Sequence, residues 1–295
     1  MQDIRIAAVA MRSKVGETTA NLARMEKFIQ EAHAQGVTLI CFPEMCATGY
    51  SIEDDILCHG ESIPGYATDA VVRMAKTYGM VILAGVAENG QNGRLSISHF
   101  AAAPQGILGV YRKIHLGGVE QRIYQPGRRV PVFRFDGFAF GIELCYDAHF
   151  PELSTILAME GAEAIFIPHA SPLETPSEKR DRWMRYLAAR AYDNSLFVVT
   201  CNQADLQRKG LPLPGVAIVL DPRGLVMEEF VGGGEGMIIA NLKTDDLDEV
   251  RGNEKRFFLR HRKPEIYRDL LASMLEDVPD DTFGRREKLL INRYK

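Results

Sequence analysis

The chain is expected to be an α/β protein in which two sheets pack face to face with helices outside. Three observations predict this. Short apolar strand segments outnumber the long amphipathic helices, hairpin signals recur, and no Pro/Ser/Gly-rich linker divides the 295 residues. A simple parallel doubly wound sheet would use fewer strands than the sequence offers.

The elements follow in order. Ile4 to Val9 reads as a buried strand. A helix follows from Thr18, because Leu22, Met25, Phe28, Ile29 and Ala32 recur at helical spacing and Gly36 stops the pattern. Val37 to Phe42 is a second apolar strand, ending at Pro43-Glu44. Pro64 to Tyr78 is expected to be helical and Met80 to Ala87 extended. Leu95 to Ala103 and Ile107 to Tyr111 are strands joined through the turn signal Pro104-Gln-Gly106. Val130 to Phe135 and Phe138 to Leu144 flank Asp136-Gly137, a strong hairpin signal. Pro151 to Glu160 and Ser177 to Asn194 are helices, and Glu163 to Ile167 and Leu196 to Thr200 are strands. Val216 to Leu220 and Leu225 to Phe230 form a hairpin around Asp221-Pro-Arg-Gly224, and Gly236 to Leu242 is a last strand. From Thr244 the chain is charged and mixed, with Phe257-Phe-Leu259 as an apolar island.

Bulk properties narrow the function. The composition, 46% hydrophobic and 25% charged, is that of an ordinary globular protein. A formal net charge of −4, from 35 basic and 39 acidic residues, gives no reason to expect nucleic acid or an anionic membrane as a partner. No apolar run approaches the ~18–20 residues of a membrane span. Five cysteines, Cys41, Cys46, Cys58, Cys145 and Cys201, at irregular spacing argue against a disulfide framework and fit a reducing compartment. The first residues read directly as a strand rather than as a signal segment, so a cytoplasmic location is expected.

Three ionisable residues sit where apolar strands end: Glu44 after Leu39-Ile-Cys-Phe-Pro43, Lys113 after Val110-Tyr-Arg112, and Cys145 after Ile142-Glu-Leu144. Converging at one rim of a sheet, they would form a nucleophilic site. The carboxylate takes the thiol proton, the ammonium lowers the thiol pKa and stabilises an oxyanion, and the thiol attacks carbon. Each residue also has an ordinary reading: a core thiol, a capping carboxylate, a solvated lysine. Spacing alone does not show that the three meet. The scattered histidines, and the lack of a second ligand pair beside Cys41 and Cys46, call for no metal. The absence of a phosphate-binding glycine motif implies no nucleotide, so no cofactor is expected.

Longer segments carry a resemblance. Phe42-Pro-Glu44, Tyr111-Arg-Lys113-Ile-His-Leu116 and Gly141-Ile-Glu-Leu-Cys145-Tyr-Asp-Ala-His-Phe-Pro-Glu152 resemble, in order, the three signature segments of the nitrilase superfamily of carbon–nitrogen hydrolases. The similarity extends over roughly residues 3–270, through Trp183 to Asn194, Val198 to Gln203, Gly215 to Gly224 and Phe257 to Tyr267. It implies a four-layer α-β-β-α sandwich, with a hydrolase domain over residues 1–270 and an arm over 271–295 at an oligomer interface. It further implies Glu44 as general base, Cys145 as nucleophile and Lys113 as electrostatic stabiliser. Glu120 matches a second glutamate that positions Lys113 and the substrate, and the oxyanion would also meet the Tyr146 N–H.

Tyr146-Asp147 after the nucleophile resembles the amidase and carbamoylase branches rather than the nitrile-cleaving one, where Trp-Glu is found. The implied substrate is a small linear amide or N-carbamoyl compound, with a nitrile or a catalytically silent scaffold as alternatives. His149 stands where many relatives carry arginine, giving up a permanent charge and a bidentate fork. Tyr50, Tyr146, His149 and His169 are the expected substrate-binding residues, and Trp183 is read as helix packing. The family resemblance also implies a homodimer or higher homo-oligomer.

Overall fold

The computed structural model describes residues 2–90, 93–205 and 212–269. The expected arm over residues 271–295 lies outside the described residues. A first compact unit ends at Phe257 and a second begins at Phe258. The second holds a short 3-10 turn, Phe258–His261, and Arg262 lies 4.9 Å above the Tyr267 ring.

The first unit holds two six-stranded mixed sheets. One is built from β1 (Ile4–Ala10), β2 (Leu39–Cys41), β3 (Val81–Asn89), β4 (Leu95–Ala103), β5 (Gly106–Arg112) and β12 (Gly236–Leu242) in the order β12-β1-β2-β3-β4-β5. The other comprises β6 (Val132–Phe135), β7 (Phe138–Ile142), β8 (Ala164–His169), β9 (Phe197–Asn202), β10 (Gly215–Leu220) and β11 (Val226–Gly233), ordered β11-β10-β9-β8-β7-β6. In each sheet the central strands are parallel (β1, β2 and β3; β7, β8 and β9), and antiparallel strands extend both sides.

Side-chain alternation explains the layers. One face of the first sheet, with Ile6, Leu39, Leu83 and Ile97, joins Phe140, Phe166, Phe197 and Val219 of the second in a single core between the sheets. The opposite face, with Ala7, Val9, Ile40 and Ile82, packs under α1 (Thr18–Ala34) and α2 (Tyr66–Tyr78). α3 (Pro151–Met159) and α4 (Pro176–Asn194) form the fourth layer, α4 against β9, β10 and β11. The expected four-layer sandwich is therefore the fold. Each fully buried large aliphatic or aromatic side chain contributes ~1.5–3 kcal/mol, so strands buried on both faces read as continuous apolar runs.

Local chemistry sets the boundaries. α1 buries Leu22, Met25, Ile29 and Ala32, the stripe its spacing predicts. α2 ends at Gly79 in the left-handed region, whose N–H bonds the Ala75 carbonyl. Thr175 and Glu178 form a reciprocal capping box at the start of α4. Asp136 and Gly137, both at positive φ, make the tight β6–β7 turn. The segment after Thr244, read as mixed, contains α5 (Thr244–Arg251), which buries only Leu247 and Val250. Two apolar positions are too few for sequence periodicity to register. Among the described residues no helix is long and apolar enough to cross a membrane, and all five cysteines are free thiols.

His99 on β4 is fully buried. Burial pushes its pKa from 6.5 down to about 3, against a weaker opposing pull from the Leu83 carbonyl. Below pH 6.5 the unfolded chain binds a proton that the folded chain refuses, so this group's stabilisation is present at neutral pH and lost as the pH falls toward 3. Between pH 7 and pH 5, urea denaturation of the wild type should lose about 2 kcal/mol more than His99→Gln. Equal losses would contradict the assignment.

Candidate active site

The site is assembled where strands of both sheets end. β2 stops at Cys41, and Phe42-Pro-Glu44 leads into Met45 at φ 53. That turn rests on Gly85 of β3, where an added Cβ would come within 2.5 Å of the Met45 nitrogen. The turn leaves Glu44 fully buried. Glu44 Oε1 accepts from Lys113 Nζ at 2.9 Å and Oε2 accepts from the Ala170 N–H at 2.9 Å. The Glu44 carbonyl accepts from Gln203 Nε2 at 2.8 Å.

Strand alternation separates the two cations at the end of β5. Arg112 turns outward to Glu88, at 2.5 and 2.6 Å. Lys113 turns inward and is 1% exposed. Its ammonium donates to Glu44 Oε1 and, at 2.7 Å, to Glu120 Oε1, using two of its three N–H donors. Glu120 opens a 3-10 turn and is fixed by the Gly117 N–H at 2.8 Å and the Tyr50 hydroxyl at 2.9 Å.

Cys145 comes from the other sheet. It lies just beyond β7, opens the 3-10 turn Cys145–His149 and adopts φ 46, a conformation non-glycine residues rarely take. The expectation of one sheet rim is thus corrected. Glu44 and Lys113 follow strands of the first sheet and Cys145 follows a strand of the second, because the shared core brings the two sets of strand ends together.

The electrostatics of the thiol are decided by burial, with Lys113 acting in the expected direction. Burial pushes the Cys145 thiol up to about 12; Glu44 and Glu120 push the same way, and Lys113 opposes them. The lysine does favour the thiolate, but it does not win. Burial raises Glu44 to about 7 against the pull of Lys113. Burial alone would neutralise Lys113, yet Glu44 and Glu120 outweigh it and hold the ammonium well above its usual range. At neutral pH the group therefore comprises a protonated thiol, a fixed ammonium and a carboxylate poised to take a proton.

Residues 5–252 match the carbon-nitrogen hydrolase family model. The chain belongs to the carbon–nitrogen hydrolase family. A nitrilase of Pyrococcus abyssi (strain GE5 / Orsay) is 30% identical over 270 residues, spanning 87% of this chain and 100% of its own. An (R)-stereoselective amidase of Pseudomonas sp is 29% identical over 288 residues, covering 97% of this chain and 98% of that one. The crystal structure of Saccharomyces cerevisiae Nit3, a member of branch 10 of the nitrilase superfamily, superposes with a TM-score of 0.77. Its identity is 25%, over 87% of this chain and 97% of that chain.

The remaining expected residues of this carbon–nitrogen hydrolase are placed unevenly. Tyr50 is 8% exposed and is bound to Glu120. The Tyr146 side chain is 43% exposed. His149 is exposed and its ring lies 4.4 Å from that of Tyr186. Burial, with Arg182 and Arg190 nearby, holds His149 below its ordinary pKa. His169 is buried 4.3 Å from the Trp183 ring, and its Nδ1 lies 2.7 Å from the Ile167 carbonyl. Both His169 and Trp183 are buried. No group of three or more His, Cys, Asp or Glu side chains among the described residues converges as a metal cage.

Sequence reasoning missed Asp147 as a structural joint. Its Oδ2 accepts from the Tyr111 hydroxyl at 2.7 Å and the Leu144 N–H at 3.1 Å; its Oδ1 accepts from the His115 N–H at 2.7 Å. Tyr111 and His115 flank Lys113, while Leu144 precedes Cys145. One buried carboxylate thus ties the lysine segment to the thiol turn. The signal lay inside both motif segments, but nothing in spacing pairs them. Asp147→Ala would orphan these donors at ~1–3 kcal/mol each. Its unfolding free energy in urea should fall by ~3 kcal/mol or more, and an unchanged value would contradict the joint.

Proposed function

We propose that the protein hydrolyses the carbon–nitrogen bond of a small linear amide or N-carbamoyl compound through a cysteine thioester. The carrying observation is the buried junction of Glu44, Lys113 and Glu120 beside Cys145, with Glu44 poised near neutrality.

In the proposed reaction Cys145 Sγ attacks the carbonyl carbon and its proton passes to Glu44. The oxyanion is met by Lys113, whose third N–H is available, and by the Tyr146 N–H. The C–N bond then breaks, and Glu44 returns the proton to the leaving nitrogen, releasing ammonia or an amine. Water attacks the thioester and gives a proton to Glu44. The acid leaves, and the thiol recovers its proton. Glu120 holds Lys113 in place, Tyr50 braces Glu120, and His149 and His169 stand as candidate determinants of the substrate pocket. A protonated resting thiol suits this sequence, since proton removal is then coupled to attack.

Tyr146-Asp147 and the amidase relative support amides over nitriles. The Pyrococcus relative, named a nitrilase, keeps nitrile cleavage as the second reading. A silent scaffold is less favoured, because Glu44, Lys113, Glu120 and Cys145 are all present. We further propose a hydrolase domain over residues 1–270, a homodimer or larger homo-oligomer with residues 271–295 at its interface, and action in the reducing cytoplasm, where five free thiols persist.

Cys145→Ala should release no ammonia or amine from a panel of amides, ureido acids and nitriles while keeping the wild-type circular dichroism spectrum. During wild-type turnover, intact-protein mass spectrometry should show an acyl adduct on Cys145. Full activity in Cys145→Ala would overturn the reading.

A further inference from the structure

A second buried lysine stands outside the proposed reaction. Lys179, in the first turns of α4, has a side chain 0% exposed. Its Nζ makes three contacts of 2.9 Å, to Ser171 Oγ, the Pro172 carbonyl and Glu174 Oε2. All three partners lie on the segment joining β8 to α4; the first two accept hydrogen bonds and the third forms an ion pair. A buried ammonium is costly unless fully satisfied, so this placement is not that of a solvated helix residue.

The segment it holds is unusual. Leu173 and Glu174 are consecutive non-glycine residues at φ 64 and 68, a conformation that persists only where surrounding contacts over-determine it. The same segment begins with Ala170, whose N–H donates to Glu44 Oε2 at 2.9 Å. Ser171 is pinned on its other side by the Asn202 side chain, at 2.8 and 3.0 Å. The charged and titratable groups around the Lys179 ammonium are Glu174 on the segment, Arg182 on α4 and Cys145 at the nucleophile turn, and His169 at the end of β8 lies within its electrostatic reach.

We propose that Lys179 is a positioning residue: it braces residues 171–174 so that the Ala170 N–H is held on Glu44, and thereby sets the protonation of the proposed base. This rests on Glu44 being that base. The Ala170 N–H favours the carboxylate form of Glu44, alongside Lys113 and against burial and Glu120. Loosening the segment weakens that bond, so Glu44 would hold its proton to higher pH.

The test is kcat/KM against pH for an amide substrate in the full-length wild type, Lys179→Met, Lys179→Arg and Glu174→Gln, with circular dichroism melts of each. Lys179→Met should lower kcat at least tenfold and move the acid limb upward by at least half a pH unit. Lys179→Arg should recover part of both. Glu174→Gln keeps the lysine and removes one partner; it should shift the limb the same way by less, and it carries the test if Lys179→Met does not fold. A folded Lys179→Met or Glu174→Gln whose acid limb stays at the wild-type position would overturn the positioning role and leave Glu44 as base intact. A wild type with no acid limb near pH 7, or one unchanged by Glu44→Gln, would overturn both.

Discussion

One ammonium shared by two buried carboxylates is the constraint on which the site depends. Lys113 contacts Glu44 and Glu120 with all three side chains almost wholly out of solvent. Removing these charges from water costs several kcal/mol per ion, and such groups are a poor source of net stability. Their effect is on protonation and position. Two carboxylates around one ammonium guarantee the lysine's charge, and the second carboxylate, with burial, leaves Glu44 near the midpoint of its titration. A single lysine–glutamate pair would have driven Glu44 further toward its ionised form.

The architecture exists to hold that group against the thiol. Neither sheet carries the whole set, so the core between the sheets must fix their relative position to within hydrogen-bond tolerance. Asp147 provides a direct tie across this division, between the segment around Lys113 and the turn of Cys145. The Ala170 N–H provides another, joining the end of β8 in the second sheet to Glu44 from the first. Arg190 of α4, on the same side as the second sheet, steadies the nucleophile turn by donating to the Ala148 carbonyl at 3.0 Å. These contacts couple packing to chemistry, because a displacement of about 1 Å at a reacting group can cost ~10²-fold in rate.

Much of the fold was legible because its signals are local. The α1 stripe of Leu22, Met25, Ile29 and Ala32, the Asp136-Gly137 turn and the β4 run from Leu95 to Ala103 each depend on a few neighbouring residues. α5 escaped because only two of its side chains face the core. Within the site, Glu44, Lys113, Glu120 and Cys145 could be singled out from strand ends and motif resemblance. The pairing of Tyr111 with Asp147 and the convergence of two sheets rather than one could not, since both depend on long-range contacts. The net direction of the thiol's pKa was not legible in the sequence for a related reason. A motif names a lysine beside a cysteine, but burial and two carboxylates decide the balance.

In the proposed mechanism the resting thiol is protonated, and Glu44, not the thiol itself, governs its reactivity near neutral pH. The most direct measurement is the rate of Cys145 alkylation by iodoacetamide from pH 5 to 9, followed by peptide mass spectrometry in the wild type and Glu44→Gln. The wild-type rate should rise with a midpoint at about 7, and Glu44→Gln should lose that step. A wild-type rate that rises only near ~8.5, as an ordinary thiol does, and does so equally in Glu44→Gln, would contradict it.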